Sequence, residues 1–401
     1  MRLFRSKKPE ERATVTQSSE RFFEVLGLSP SGGTGQIVNA KTALGVPAVF
    51  AAVNFISGTI AGLPLHVYRR DGEGRERVSD GVAALLHDAP SDELTSYAWR
   101  QYTFTRILTG GRGLTQIVRN GRGAVVELVP MEPSSTTVRR VGGKKFYDYD
   151  IDGKKVRYPA RDVIDLPFML DEDGLSHISP ISANRVAIGR AQAVQEYASR
   201  FFDNGGVPPF AVTGNFQSGK ALNRASDDLH DAVKRAAKEG RQALTLPAGL
   251  EIKTIGADPE KTQLLETQRF CVEEIARIYS LPPTFLQDLT HGTYSNTEQQ
   301  DLHFAKHTLK RWVEQFEQEL NLKLFGRGSE YFVEFSMDGL LRGDFKTRMD
   351  GYAQGIQNGV MTPNEARRME NRPEMDAGGK LMIQGATVPI ENQLQEPSND
   401  V

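Results

Sequence analysis

Apolar residues follow two different periods along the chain, and the change falls near Ser179. Before it, short runs alternate between apolar and polar positions, as half-buried strands do. Leu65 to Val78 reads as strand, turn and strand. Thr115 to Pro130 carries Asn120-Gly121 as a hairpin signal, and Thr136 to Pro159 is a meander with turns at Gly142-Gly143 and Asp152-Gly153. One stretch breaks this pattern: Val46 to Leu65 has no charged residue and is bracketed by Pro47 and Pro64. The helix that fits between the prolines has about 15 residues and spans roughly 22 Å, short of a ~30 Å hydrocarbon layer. A buried helix is expected there.

After Ser179 the step becomes three or four residues. Ser179 can cap a helix that opens on Pro180, with Ala187, Ala191, Val194, Ala198 and Phe201 on one stripe. A second helix is expected from about Thr262 to Tyr279, with Leu264, Cys271, Ile275 and Tyr279 on one face and Gln268 interrupting it. The longest helical signal runs from Asn296 to Phe325, where Leu302, Ala305, Leu309, Trp312, Phe316 and Leu320 recur. A short β unit follows, in which Tyr331, Val333 and Phe335 alternate with Phe332, Glu334 and Ser336. Another helix places Phe345, Met349, Tyr352 and Ile356 on one face and ends at Gly359, and a capped helix follows Thr362. The first 40 residues and the last 17 are polar and are expected to lack fixed structure.

Composition narrows the function without naming it. The 401 residues allow two or three compact units. Lys plus Arg number 49 against 51 Asp plus Glu, a formal charge of −2, which argues against a free-standing nucleic-acid binder. The single cysteine, Cys271, excludes a disulfide framework or a cysteine-rich metal site. Three pieces invite a chemical reading. Gly214 to Lys220 has the outline of a phosphate-binding loop, yet Ala221 stands where a Ser or Thr hydroxyl must ligate magnesium. His303 and His307 share a helix face, but Phe304 replaces the general base of a hydrolytic zinc motif. Asp165, Asp171, Glu172 and Asp173 lack calcium-loop spacing. No catalytic residue, cofactor site or metal site is expected, and the chain does not read as an enzyme. The alternative is a degenerate nucleotide-binding ATPase built on Gly214–Lys220. A peripheral membrane scaffold using Val46 to Leu65 is a third reading.

Several stretches, in this order, resemble the portal proteins of tailed bacteriophages in the shorter form typical of long-tailed phages. They are VPAVFAAVNFISGTIAGLPLHVYRR, DGLSHISPISANRVAIGRAQAVQEYASRFFDNGGVPP, LPAGLEIKTIG, YSLPPTFLQDLTHGTYSNTEQQDLHFAKHTLKRWVEQFEQELN, FSMDGLLRGD and NGVMTPNEARRMENRP, spanning residue 46 to about residue 373. The resemblance implies an α+β portal fold: an α/β wing, long stem helices, a small β-containing clip and little or no crown, assembled as a ring that is usually a dodecamer. It implies a structural head-tail connector at one capsid vertex of the virion, built in the host cytoplasm, with double-stranded DNA moved through it by a separate terminase. Head-tail adaptor and major capsid protein are the other implied partners, without a membrane.

On this resemblance the N-terminal arm covers 1–40, the wing 41–290, the first stem helix 291–325, the clip 326–343 and the second stem helix 344–358. A tunnel loop with its following helix covers 359–384, and a tail covers 385–401. Asn358, Gly359, Val360, Met361 and Thr362 are then expected near DNA. Lys306, Lys310 and Arg311 are candidates for the channel wall, or for pairing with Glu314 and Glu317. Tyr331, Phe332 and Glu334 are candidates for terminase or adaptor docking. Leu302, Leu309, Trp312, Phe316 and Leu320 are expected to pack between copies, because a long amphipathic helix needs neighbours.

Overall fold

The computed structural model describes residues 35–382, apart from residue 73, residues 204–209, most of 215–249, residues 255–260, 287–296, 338–344 and residue 371. Most of the N-terminal arm, the polar tail and the loop Asn215 to Lys220 therefore lie outside the described residues. Residues up to Ser336 form one compact unit and those from Met337 a second.

In the first unit the uncharged stretch forms helix α1, Pro47–Gly62. Pro47 occupies its first turn, and Leu63 is already extended because Pro64 disfavours helical backbone before it. Val49, Ala52, Val53, Ile56 and Ile60 are buried, so the helix belongs to the core. No helix among the described residues is long and apolar enough to cross a membrane.

Strands β1, Leu65–Asp71, and β2, Gly74–Val78, follow. Helices α2, Val82–His87, and α3, Ser96–Gly110, come next. Then come β3, Arg112–Arg119, and β4, Val125–Met131; β5, Thr136–Val141, and β6, Lys144–Ile151; β7, Lys154–Pro159, and β8, Val163–Pro167. Beyond a short helical turn at Pro180–Ala183 lies α4, Arg185–Asp203. It is followed by β9, Phe210–Gly214, β10, Leu250–Thr254, and α5, Lys261–Ile278. The long signal becomes α6, one run with α-helical parts at Thr297–His303 and Lys310–Leu320 and π-helical parts at Phe304–Leu309 and Asn321–Phe325. Strand β11, Tyr331–Phe335, closes the unit. The second unit holds α7, Phe345–Gln357, and α8, Pro363–Met369.

Every strand pair is antiparallel, in the orders β11-β1-β2, β4-β3-β8, β5-β6-β7 and β10-β9. The turn between α3 and β3 depends on Gly111. Its φ is +89°, and a Cβ there would sit 2.7 Å from the Ile178 carbonyl oxygen. Only glycine fits.

The core is organised around α6. Phe316 is wholly buried and its ring lies 5.6 Å from both Trp99 and Phe104 on α3 and 5.7 Å from Phe335 on β11. Trp312 adds Phe104 at 6.0 Å and Phe168 at 5.4 Å. The same helix closes two open sheet edges. Glu317 Oε1 accepts the Phe335 N–H and Asn321 Oδ1 the Val333 N–H, both at 2.7 Å. Glu319 Oε1 accepts the Asp165 N–H at 2.9 Å, and Gln315 Nε2 donates to the Pro167 carbonyl at 2.8 Å. Side chains two apart on a helix point to opposite sides. The sheets ending in β11 and β8 therefore flank α6.

Two expectations change here. Leu309, Trp312, Phe316 and Leu320 are buried by their own chain, not left for sister copies, because α3, β8 and β11 wrap the stripe. Leu302 is 56% exposed, since the π-helical turn after it shifts the helix phase and takes it off that stripe. The strand within the expected clip pairs residue by residue with β1, from Leu65↔Phe335 to Arg69↔Tyr331.

Burial, opposed by the Phe335 N–H and reinforced by Glu334 and Glu314, holds the Glu317 carboxyl above its usual pKa. Such a group favours the fold fully below its unfolded pKa and loses that contribution as pH rises through the native value. Glu317→Gln keeps the acceptor oxygen and removes the charge. It is expected to raise Tm by about 2 °C near pH 8 and to lose that advantage near pH 4, read from thermal melts at both values. A lower Tm at both would show that the N–H bond requires the carboxylate.

Candidate functional site

Among the described residues no group of three or more His, Cys, Asp or Glu is placed to hold a metal ion. The His303 and His307 rings lie 4.5 Å apart, tilted by 46°, and line an open cleft of about 620 Å³ with Arg277, Ser280 and Gln300. Cys271 is buried on α5, and burial, with Glu274 adding to it, raises its thiol pKa, which suits a core side chain and not a nucleophile.

The densest electrostatics are structural. Asp165 on β8 meets Arg112 Nε at 2.8 Å, Lys145 Nζ at 2.6 Å and the Tyr147 hydroxyl at 2.6 Å. Burial alone would raise the Asp165 pKa; Arg112, Lys145 and Tyr147 reverse this and hold it below the usual range. Arg112 also donates to the Leu175 carbonyl at 2.7 Å. His177, with its Nε2 at 3.0 Å from the Gly110 carbonyl, is lowered to about 4 by burial and then by Arg112, so it is neutral at physiological pH. The charges of Asp165, Arg112 and Lys145 are paired with one another. It pins β3, β6 and β8 together and offers no reacting group.

The candidate channel residues divide. Lys306 and Lys310 are exposed on α6, and Lys310 lies 3.6 Å from Glu314 one turn on. Arg311 instead lays its guanidinium over Trp312 at 4.2 Å and Phe168 at 5.4 Å, a packing role. Of the docking candidates, Phe332 and Glu334 face outward from the β2-β1-β11 sheet, whereas Tyr331 turns to the other face and stacks on Phe325 at 6.0 Å.

The segment Asn358 to Thr362 is a hydrogen-bonded turn within the second unit. The Gly359 N–H reaches the Ile356 carbonyl at 3.1 Å and the Val360 N–H the Gly355 carbonyl at 2.9 Å, the pairing of a Schellman motif. Gly359 takes φ +67°, and Thr362 starts α8 with a capping box to Glu365. Val360 is left 78% exposed at the tip. Asn364, which the sequence pattern did not single out, clamps the turn's far side by exchanging hydrogen bonds with the Met375 backbone, both at 2.9 Å.

A surface that periodicity alone missed lies on α4 and α5. These helices pack on each other through Ile188, Ala191, Ala198, Cys271 and Ile275, tied by Arg190 to Glu274 at 2.9 Å. Each also presents large apolar side chains to solvent: Val186 and Tyr197, 54% and 42% exposed, and Leu265 and Phe270, 54% and 45%. Val186 and Tyr197 are eleven residues apart, three helical turns, and so share a face. The signal was present as this second apolar row beside the buried one. In sequence, β9 and β10 lie between the two helices and pair with each other.

Helices α4 and α5 thus keep apolar side chains uncovered, a feature of surfaces that meet other proteins. Comparison with known proteins identifies the family. The family model for phage portal proteins matches residues 47–371. The chain belongs to that family. It is 32% identical over 372 residues to the probable portal protein of Streptomyces phage phiC31, covering 88% of this chain and 80% of that one. It is 27% identical to the portal protein of Enterobacteria phage HK97, covering 90% and 88%. Among solved structures it matches the neck of an empty GTA particle with TM-score 0.58 and 22% identity, over 84% of this chain and 94% of that one. It also matches an HK97-family phage portal protein from Corynebacterium diphtheriae with TM-score 0.56 and 16% identity, over 75% and 95%. At these identities the structural matches speak for the portal fold alone.

In this portal chain the left-handed Gly359 has a measurable cost if replaced. Gly359→Ala is expected to destabilise the second unit by about 1–2 kcal/mol, read from urea unfolding with a probe on α7 or α8. An unchanged midpoint would mean that the turn relaxes to another conformation.

Proposed function

We propose that the protein is the structural portal of a phage or phage-derived DNA-carrying particle. In this reading identical copies, twelve in the assembled particle, form a ring at one capsid vertex. Double-stranded DNA passes through the ring without sequence specificity, driven in by a separate terminase motor and released later through the head-tail adaptor. The major capsid protein surrounds the ring. The observation that carries the reading is family membership across residues 47–371, together with a fold in which the described charged clusters are structural. A similar protein is seen in the neck of a native GTA particle with C12 symmetry, which supports the copy number proposed here.

The location of the ring contacts follows from what the fold leaves uncovered. α6 was expected to be the first stem helix, but its apolar stripe is spent inside its own unit. The paired helices α4 and α5, leading to and from the β9-β10 pair, keep apolar side chains exposed and take over that role in the proposal. The turn at Asn358 to Thr362, tipped by Val360, is retained as the segment approaching DNA, with Lys306 and Lys310 as candidate phosphate contacts. A formal charge of −2 suits a passage, since extensive phosphate neutralisation would hold DNA in place.

Native mass spectrometry and electron microscopy of the purified chain test this directly. Wild type is expected as closed rings, and the pair Tyr197→Ser with Phe270→Ser is expected to shift the population to single copies while far-UV circular dichroism stays unchanged. Rings formed equally well by the pair would remove α4 and α5 from the interface. The competing nucleotide reading rests on Gly214–Lys220, of which only Gly214 at the end of β9 lies within the described residues. Sustained ATP turnover by the purified chain would favour it.

A further inference from the structure

The outward face of the β2-β1-β11 sheet has a composition that neither core packing nor the ring proposal accounts for. Strand alternation puts Leu65, Val67, Val333 and Phe335 inside, all buried. It puts Tyr68 and Arg70 of β1, Arg75 and Arg77 of β2, and Phe332 and Glu334 of β11 outside, while His66 on the same side is covered by the His87 ring of α2 at 5.2 Å. Tyr68 and Phe332 stack at 5.6 Å across the strands. The Arg75 guanidinium lies 4.6 Å from the Tyr68 ring centre and that of Arg70 lies 5.5 Å from Phe332. Among the paired strand residues of this face Glu334 is the one carboxylate, and it is engaged by Arg75. Arg70 and Arg77 remain exposed. Guanidinium groups packed against rings are partly ordered before a partner arrives, and their forked N–H donors suit carboxylate recognition.

The same chain offers an acidic counterpart on the other flank. Glu317 and Glu319 place the two sheets on opposite sides of α6, and the turn that follows β8 carries Asp171, Glu172 and Asp173, all exposed. Asp173 is occupied in shaping the turn, accepting from the Leu175 and Ser176 N–H groups at 2.7 Å and the Ser176 hydroxyl at 2.6 Å. Asp171 and Glu172 are presented on a turn whose shape is therefore fixed. A cyclic ring is built from two different patches on each copy, facing opposite neighbours.

We propose that this arginine-aromatic sheet face receives the Asp171–Asp173 turn of the adjacent copy, as a charge-paired contact that sets the register of the ring. It rests on the ring reading above. A duplex-DNA role for the face is disfavoured by the Glu334 carboxylate on it, which a phosphate backbone would oppose.

Charge reversal tests the contact. Three variants are made in the full chain: Arg70→Glu with Arg77→Glu, Asp171→Lys with Glu172→Lys, and all four together. Ring formation is followed by native mass spectrometry across concentration and ionic strength, with thermal melting to check folding. Each pair is expected to raise the concentration needed for rings by about tenfold or more at low salt, since like charges then face each other. The fourfold variant is expected to recover most of that loss, and its recovery serves as the control for the fold. Rings forming at wild-type concentration in both pairs at every ionic strength would overturn the contact. So would loss in the sheet-face pair that the fourfold variant fails to restore, including the case where that pair also abolishes binding of a short DNA duplex. A wild type that stays a single copy would bring down the ring reading itself, and this contact with it.

Discussion

The first unit depends on one arrangement: two sheet edges whose backbone donors are satisfied by the side chains of a single helix. The N–H groups of Val333, Phe335 and Asp165 end on Asn321, Glu317 and Glu319. A buried donor left without a partner costs about 1–3 kcal/mol, so α6 cannot withdraw from either sheet without a penalty from several such groups at once. The apolar side of the same helix adds Trp312 and Phe316, each surrounded by aromatic rings. Polar and apolar requirements thus converge on one element, whose buried stripe is a fixed strut within the unit.

That strut also explains where the chain concentrates charge. Asp165 gives its N–H to Glu319 and its carboxylate to Arg112, Lys145 and Tyr147, so one residue ties α6 to β3 and β6. Two acidic side chains lie close here, yet the contact is made through a backbone N–H, and the cations lie on the Asp165 side. Lys323, 3.5 Å from Glu319, supplies the remaining charge. Burial, opposed by Lys323 and by the Asp165 N–H, still leaves the Glu319 carboxyl above its usual pKa. A buried ion pair is weak ground for stability, but breaking one partner is costly, so such a cluster specifies one packing over others.

Much of this was legible in the sequence where the rule is local. The prolines around α1 set its limits, and the Gly142-Gly143 and Asp152-Gly153 turns take positive φ at both residues, as two-residue hairpins require. Asn120-Gly121 was read as the same kind of turn. The chain instead uses the Asn120 side chain to hold the Arg122 and Ala124 N–H groups and places Gly123, not Gly121, in the left-handed region. The long helix was found, and its buried stripe from Leu309 to Leu320 was read correctly as a face. What covers that face was not legible, because periodicity states that a surface is buried and is silent on which chain buries it. Leu302 was misplaced for a related reason: a uniform helical repeat does not anticipate a π-helical turn. The partner of strand β11 was not legible because β1 lies more than 250 residues earlier, and pairing at that range leaves no local mark.

These misreadings share a consequence for how a ring can be built. Each copy must first satisfy its own edges and stripes, and only side chains left over can serve a neighbour. Among the described residues, the remainder proposed for that use is of two kinds. One is apolar and lies on α4 and α5, where burial against another copy contributes in proportion to the area removed from water but selects orientation poorly. The other is charged and lies on the outer sheet face and the turn after β8, where pairing contributes less but penalises every misaligned register. A passage for DNA needs both properties in one assembly: adhesion enough to keep the ring closed while DNA moves through it, and register enough to keep the bore symmetric. On the contacts proposed here, dividing them between separate surfaces would let the helices adjust against one another without losing the order of copies around the axis.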